Sequence, residues 1–211
     1  DDRRTGAILT GCAKGFIERK ERARFDAVAA DLRKLPADLR ASPLCDAMLA
    51  LARFDAEAAD AVLRAELDAP GTPDAARARY INALMSPSLC GLTTFNYRFH
   101  TPGAYEKYKT LVKARLELFD KGIDKNLSQG LVEVLEHYDD LDLAEETLRR
   151  ALQSRPRDYM LNWVAARVAA ADPDGAARAL ERLDQTLAAS RTSDQTNEIR
   201  AVSAFLRGEG L

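Results

Sequence analysis

The sequence predicts an all-α protein built from antiparallel helical hairpins. Three observations carry that prediction. Long stretches combine Ala, Leu, Arg, Glu and Asp with apolar residues three or four apart, the spacing that lines one face of an α-helix. Runs of β-branched residues are nearly absent, so little of the chain favours strands. Helix punctuation recurs at short intervals. Thr72-Pro73, Thr101-Pro102 and Asp172-Pro173 each pair a capping side chain with a proline suited to the first helical position.

In chain order, about eleven helices with short links are expected. The first covers about Thr5–Arg19 and the second Glu21–Leu35, where Pro36 ends it. Ser42 with Pro43 opens the third, which carries Leu44, Met48 and Leu51. The fourth runs from about Asp55 to Leu67 and stops before Pro70-Gly71; the fifth follows Thr72-Pro73 to about Met85. The sixth, about Gly103–Lys121, places Tyr105, Tyr108, Val112, Leu116 and Phe119 on one stripe, with Gly122 as its stop. The seventh carries Leu131, Val132, Leu135 and Tyr138. The eighth carries Leu141, Ala144, Leu148, Ala151 and Leu152, with Asp142 and Glu145 spaced as a capping box. The ninth, near Tyr159–Ala170, is apolar around most of its circumference. The tenth starts at Asp172-Pro173, and the eleventh uses Ile199, Val202, Phe205 and Leu206 behind a second capping-box spacing at Thr192–Gln195. Such short helices are marginal alone in water and must bury their stripes on neighbours. Short links make those neighbours antiparallel.

Composition excludes several classes. The chain has 211 residues, 46% hydrophobic and 30% charged, an ordinary globular balance rather than a disordered one. Lys plus Arg is 31 against Asp plus Glu 33, for a net charge of −2. That is not the basic excess of a generic nucleic-acid binder. No apolar run reaches the length of a transmembrane helix. Asp1-Asp2-Arg3-Arg4 is no signal peptide. A chain starting at Asp1 rather than Met is expected to be processed, excised or renumbered, which leaves cytoplasmic and periplasmic or other extracytoplasmic locations both open. Three cysteines are too few for a disulfide scaffold. Buried thiols at Cys45, Cys90 and Cys12 are the expected state, with a Cys45–Cys90 bridge as the alternative in an oxidising compartment.

Internal repetition favours a stacked array over a closed bundle. Ala23–Asp31 (ARFDAVAAD) returns as Ala52–Asp60 (ARFDAEAAD), identical at eight of nine positions at an offset of 29. Ala58, Val62, Ala65 and Pro70 share their spacing with Ala144, Leu148, Ala151 and Pro156. Small Ala residues let two helices of a hairpin approach, a branched residue fills the gap, and Pro stops the helix. This pattern resembles the second half of a tetratricopeptide repeat, best over Leu131–Pro156, where Leu131 also falls at the first-helix Leu position. Val132 and Leu135 replace that family's small and Tyr positions, Cys45 and Asp46 stand at the Leu and Gly positions of the earlier copy, and a third copy at Trp163, Ala179 and Leu183 needs a one-residue shift. The resemblance implies a helical-hairpin α-solenoid that binds partner proteins. The expected organisation is helical hairpins over 1–85, an irregular aromatic connection over 86–102 and tetratricopeptide-like hairpins over 103–211, as one continuous structural unit.

Residues 86–102 break the helical period. Phe95, Tyr97 and Phe99 alternate with Asn96, Arg98 and His100, an extended pattern in a connection long enough to be functional. One reading is a packed plug; the other is a contact surface, since aromatics and Arg are favoured at interfaces. Lys107 and Lys109 follow on the next helix, off its apolar stripe, and could add attraction for an acidic partner. No HExxH, GxSxG, P-loop or GxGxxG is present. Gly6, Gly11 and Gly15 are too sparse to cradle phosphate and instead permit close helix contact. A Cys90/His100 nucleophile pair lacks an orienting third residue. His137 is an exposed polar position, and N-capping explains Asp139, Asp140 and Asp142 without a metal.

The expected function is therefore a non-catalytic adaptor with no cofactor and no metal. It binds a protein or peptide partner through Phe95, Asn96, Tyr97, Arg98, His100, Lys107 and Lys109 and through first-helix residues such as Asn162 and Arg167. An extracytoplasmic accessory or toxin-neutralising domain, or an enzyme of unrecognised type, are the alternatives.

Overall fold

The computed structural model describes residues 2–93, 97–124, 127, 129–154 and 181, with the backbone alone for 129, 145, 149 and 152–154. These residues form helices α1 (Asp2–Glu18), α2 (Arg22–Arg33), α3 (Ala37–Leu51), α4 (Ala56–Leu67), α5 (Asp74–Leu84), α6 (Pro87–Cys90), α7 (Ala104–Asp120), α8 (Gln129–His137) and α9 (Leu141–Ser154). Between α6 and α7 lies a small antiparallel pair, β1 (Leu92–Thr93) and β2 (Arg98–Phe99). The protein is mostly helical, as its periodicity predicts. The helices expected near 159–170, after Asp172-Pro173 and around Ile199–Leu206 lie outside the described residues, as do Trp163, Ala179 and Leu183. Two compact units divide the chain, Asp1–Lys125 and Asn126–Leu211. The segment 86–102 and α7 therefore belong to the same unit as α1–α5.

In the first unit, α1 packs on α2 and α3, α3 on α4 and α5, and α5 on α7. Within this unit α1, α3, α5 and α7 thus each touch the next in that order. Cross-links repeat at a fixed separation. The Thr10 hydroxyl donates to the Pro43 carbonyl at 3.3 Å, and Arg22 Nη1 lies 2.8 Å from Asp55 Oδ2, both across 33 residues. Arg33 Nε lies 3.2 Å from Glu66 Oε1. The two ion pairs join the start of α2 to the start of α4 and the end of α2 to the end of α4, so these helices run side by side in the same direction. Both helices have 12 residues, and α4 starts at Ala56, 34 positions after Arg22. Burial follows this spacing in part: Phe25 and Leu32 in α2 correspond to Ala59 and Glu66 in α4, whereas the buried Leu63 and Leu67 correspond to half-buried Ala29 and exposed Arg33.

The 29-residue sequence repeat does not match this contact spacing. Ala23–Asp31 lies wholly inside α2, whereas Ala52–Asp60 runs from the C-cap of α3 through a turn into α4. The offset is out of phase with the helices, so Phe25 is 1% exposed and Phe54 is 61% exposed. The Ala58, Val62, Ala65 set is also off register in α4. There the buried side is Ala59, Leu63, Glu66 and Leu67, while Ala65 is exposed.

Three helix starts differ from expectation. Pro43 does not open α3; the helix begins at Ala37 after an N-cap at Pro36 and carries Pro43 in its interior. An interior proline lacks the helical N–H and crowds the preceding turn. Here its ring packs against α1 where Gly6 has no side chain: a Cβ at Gly6 would sit 3.3 Å from Pro43 Cγ. Among the spaced glycines only Gly6 serves close contact between helices, since a Cβ at Gly11 would meet nothing within 4 Å and one at Gly15 only Arg19, just past the end of α1. Thr72 does not cap α5. Pro73 occupies the N-cap, and the Thr72 hydroxyl turns back to donate to the carbonyls of Glu66 and Ala69, both at 2.9 Å. It satisfies acceptors left open at the end of α4. Likewise α7 starts two residues after Thr101-Pro102, with Gly103 at its N-cap. Gly122 stops α7 as expected, at φ 73°, with its N–H on Phe119 O at 2.8 Å and Ile123 N–H on Leu118 O at 3.0 Å.

In the second unit α8 and α9 form a hairpin. Leu131, Val132, Val134 and Leu135 of α8 are buried with Leu143, Ala144, Leu148 and Ala151 of α9. Asp142 lies inside the first turn of α9 rather than at its cap, where its charge favours the helix N-terminus. The carbonyl of the preceding Asp140 accepts the Ala144 N–H at 2.9 Å.

Candidate functional site

The segment singled out by the sequence forms one turn of helix and a hairpin. Phe95 and Asn96, like Asn162 and Arg167, lie outside the described residues. Tyr97 is half-buried at φ 51°, which ends the extended alternation there. Arg98 and His100 are exposed, while Phe99 packs on Tyr105 and Tyr108 with ring centroids 6.0 and 5.3 Å away. His100 Nε2 lies 2.7 Å from Thr93 Oγ1 across the hairpin. The Cys90 thiol donates to Met85 O at 3.5 Å. These two side chains are thus engaged separately rather than with each other. Lys107 is exposed and Lys109 half-buried on α7. His137 is exposed, edge-on to Tyr138 at 5.3 Å.

The cysteines are unbridged. Cys45 sits inside α3, not at its start, and is buried. Burial, then the nearby Asp46 charge, push its thiol up to about 12 against the opposing pull of Arg79. Burial also raises the Cys90 thiol. Neither is a ready thiolate at neutral pH. Cys12, expected to be packed, is exposed. The buried side of α1 runs through Gly6, Thr10, Ala13 and Ile17, and residue 12 falls off that stripe.

The odd-numbered helices frame a depression of about 630 Å³. Its lining comes from α1 (Arg3, Ala7, Thr10), α3 (Asp38, Leu39, Ser42, Pro43, Asp46) and α5 (Arg79). Asp38, Ser42 and Asp46 are exposed at intervals of four, which sets them in one row along α3. The sequence carried this signal, but placing the helix start at Ser42 left Asp38 outside it.

A second groove, of about 440 Å³, lies between α4, α6 and the start of α7. Leu84, Leu89, Tyr108 and Leu111 give it an apolar floor, and Glu57, Asp60 and Lys107 stand on its walls. Asp60 is held by Arg64 Nε at 2.6 Å. Burial raises the Tyr108 phenol, with a further push from Cys90.

Elsewhere in the first unit lies a polar cluster that the sequence did not reveal. Glu66 is buried at the end of α4. Its Oε1 faces Arg33 Nε at 3.2 Å and its Oε2 faces Arg40 Nη2 at 2.9 Å. The second contact is ionic rather than a directed hydrogen bond. Glu66 Oε2, Arg40 Nε and Tyr80 Oη have no hydrogen-bond partner among the described residues. Burial raises the Tyr80 phenol, partly offset by Arg40 beside it. Among the described residues, no group of His, Cys, Asp and Glu could hold a metal ion, and no helix is long and apolar enough to cross a membrane.

Comparison with protein-family models, with curated proteins and with solved structures gives no match.

Proposed function

We propose that this protein is a non-catalytic interaction module, a helical-hairpin array of tetratricopeptide-like design that receives a peptide or protein partner on the face made by α1, α3 and α5. The observation that carries the reading is the 33–34-residue spacing of contacts in the first unit, α1 to α3 and α2 to α4. Hairpins stacked at such a spacing leave their first helices side by side as an extended binding surface. The depression on that face supports the same reading. The Asp38–Asp46 row spans about 12 Å at a rise of 1.5 Å per residue, roughly the length of four extended residues. Carboxylates, hydroxyls and the guanidinium of Arg79 along it supply both acceptors and donors for a partner's backbone.

The test is capture of partners by the full chain as bait. Asp38→Arg with Asp46→Arg should abolish capture of a specific partner, while Lys34→Ala at the C-cap of α2 should leave it intact, with circular dichroism confirming the fold of each variant. Retained capture by the double variant would refute the assignment of this face. Arg98→Glu tests the hairpin separately: unchanged affinity would remove it from the interface.

A further inference from the structure

We infer that the groove between α4, α6 and α7 is a second binding site, for a short protein segment in which a basic and an acidic residue bracket a large apolar one. The site is separate from the α1–α3–α5 face and does not depend on it. The argument starts from the floor. Leu84, Leu89 and Leu111, from three different helices, converge with Tyr108 in a groove of about 440 Å³, within the range of sites that enclose a few side chains. Leu84, Tyr108 and Leu111 are already nearly covered, so the area an apolar occupant removes from water comes from half-buried Leu89, Ala56 and Ala104 and exposed Pro102.

The walls set the occupant's charge pattern. On α4 the Asp60 carboxylate is already paired with Arg64, whereas Glu57 has no ion-pair partner among the described residues. On α7 Lys107 is exposed and likewise has none. One wall therefore presents an uncompensated carboxylate and the other an uncompensated ammonium, with apolar surface between them. An occupant of uniform charge meets one attractive and one repulsive wall. An occupant carrying opposite charges on either side of an apolar residue satisfies both, and reversing either wall charge reverses the preference.

Titration of the 211-residue chain with two capped heptapeptides, one with Arg-Leu-Leu-Glu at its centre and one with Arg-Leu-Leu-Arg, tests this by fluorescence anisotropy and by backbone amide shifts of Gly91, Ala104 and Leu111. The Arg…Glu peptide is expected to shift these amides. Lys107→Glu is expected to weaken its binding about fivefold and to favour the Arg…Arg peptide instead. Identical affinities for parent and Lys107→Glu would overturn the charge assignment. No shift with either peptide, or shifts with free leucine in place of the peptides, would overturn the assignment of a protein segment.

Discussion

Replacing Glu66 by Ala is expected to cost about 3 kcal/mol of stability, and the figure follows from the two arms of its ion-pair cluster. The Glu66 side chain is 11% exposed, against 22% for Arg40 and 43% for Arg33. Breaking a fully buried pair costs about 3–5 kcal/mol. The Arg33 arm is nearly half in solvent, so screening holds it to about 1 kcal/mol or less. The Arg40 arm is drier and carries the larger share, about 2 kcal/mol. Its guanidinium would be left beside the fully buried Tyr80 with its Nε already unpartnered. With a urea m-value of about 2 kcal/mol/M, the midpoint should fall by about 1.5 M in denaturation followed by circular dichroism at pH 7. A double-mutant cycle with Arg40→Ala should return a coupling of about 2 kcal/mol. A midpoint within about 0.3 M of the parent, or additive single substitutions, would refute the view that this cluster ties α2, α3 and α4 together.

Other perturbations probe independent parts of the first unit. Phe25→Ala should cost about 3–5 kcal/mol, whereas Phe54→Ala, in the same Arg-Phe-Asp context, should stay within about 0.5 kcal/mol; equal urea midpoints would refute the phase difference between the two copies. Gly6→Val should lower stability by about 1–3 kcal/mol by driving a side chain into Pro43, and Gly11→Ala should raise it by about 0.5–1 kcal/mol, both read from thermal melts. Alkaline pH should destabilise the fold. Below pH 9 the Cys45 thiol keeps its proton in both states. Between 9 and about 12 only the unfolded chain releases it, so stability falls by about 1.4 kcal/mol per pH unit. Cys45→Ala should flatten the decline in urea midpoint between pH 8 and 10, and an unchanged slope would place its source elsewhere.

Features that act within one helix or one hairpin were legible in the sequence. Gly122 ends α7 because a left-handed cap is a local requirement, and α8–α9 was visible because Leu131, Leu135, Ala144, Leu148 and Ala151 show helical spacing on both sides of a short link. Features that act between helices were not. Pro43 looks like a helix start on local rules, yet α3 carries it in its interior with its ring against Gly6 of a neighbouring helix. Thr72 looks like a cap until the end of α4 supplies carbonyls for its hydroxyl. The near-identity of Ala23–Asp31 and Ala52–Asp60 suggested a period of 29, while the contacts run at 33–34, where Phe25 is matched by Ala59 and Leu32 by Glu66. At that spacing a buried position can change residue type, so the contact spacing leaves little trace in the letters. Of the candidate binding residues, Lys107 lines a groove and Arg98 and His100 stand exposed. The row Asp38, Ser42, Asp46 escaped notice because it depended on where α3 begins.

Gly6 and Pro43 behave as one trait written at two distant positions. A side chain on the facing residue of α1 would press on the proline ring and force one of the two to give way, while the bare residue carries the entropic cost of glycine in its own helix. Divergence at this junction should therefore be paired: a lineage that replaces the proline is released from the glycine, and one that enlarges the glycine first must lose the ring or separate the two helices.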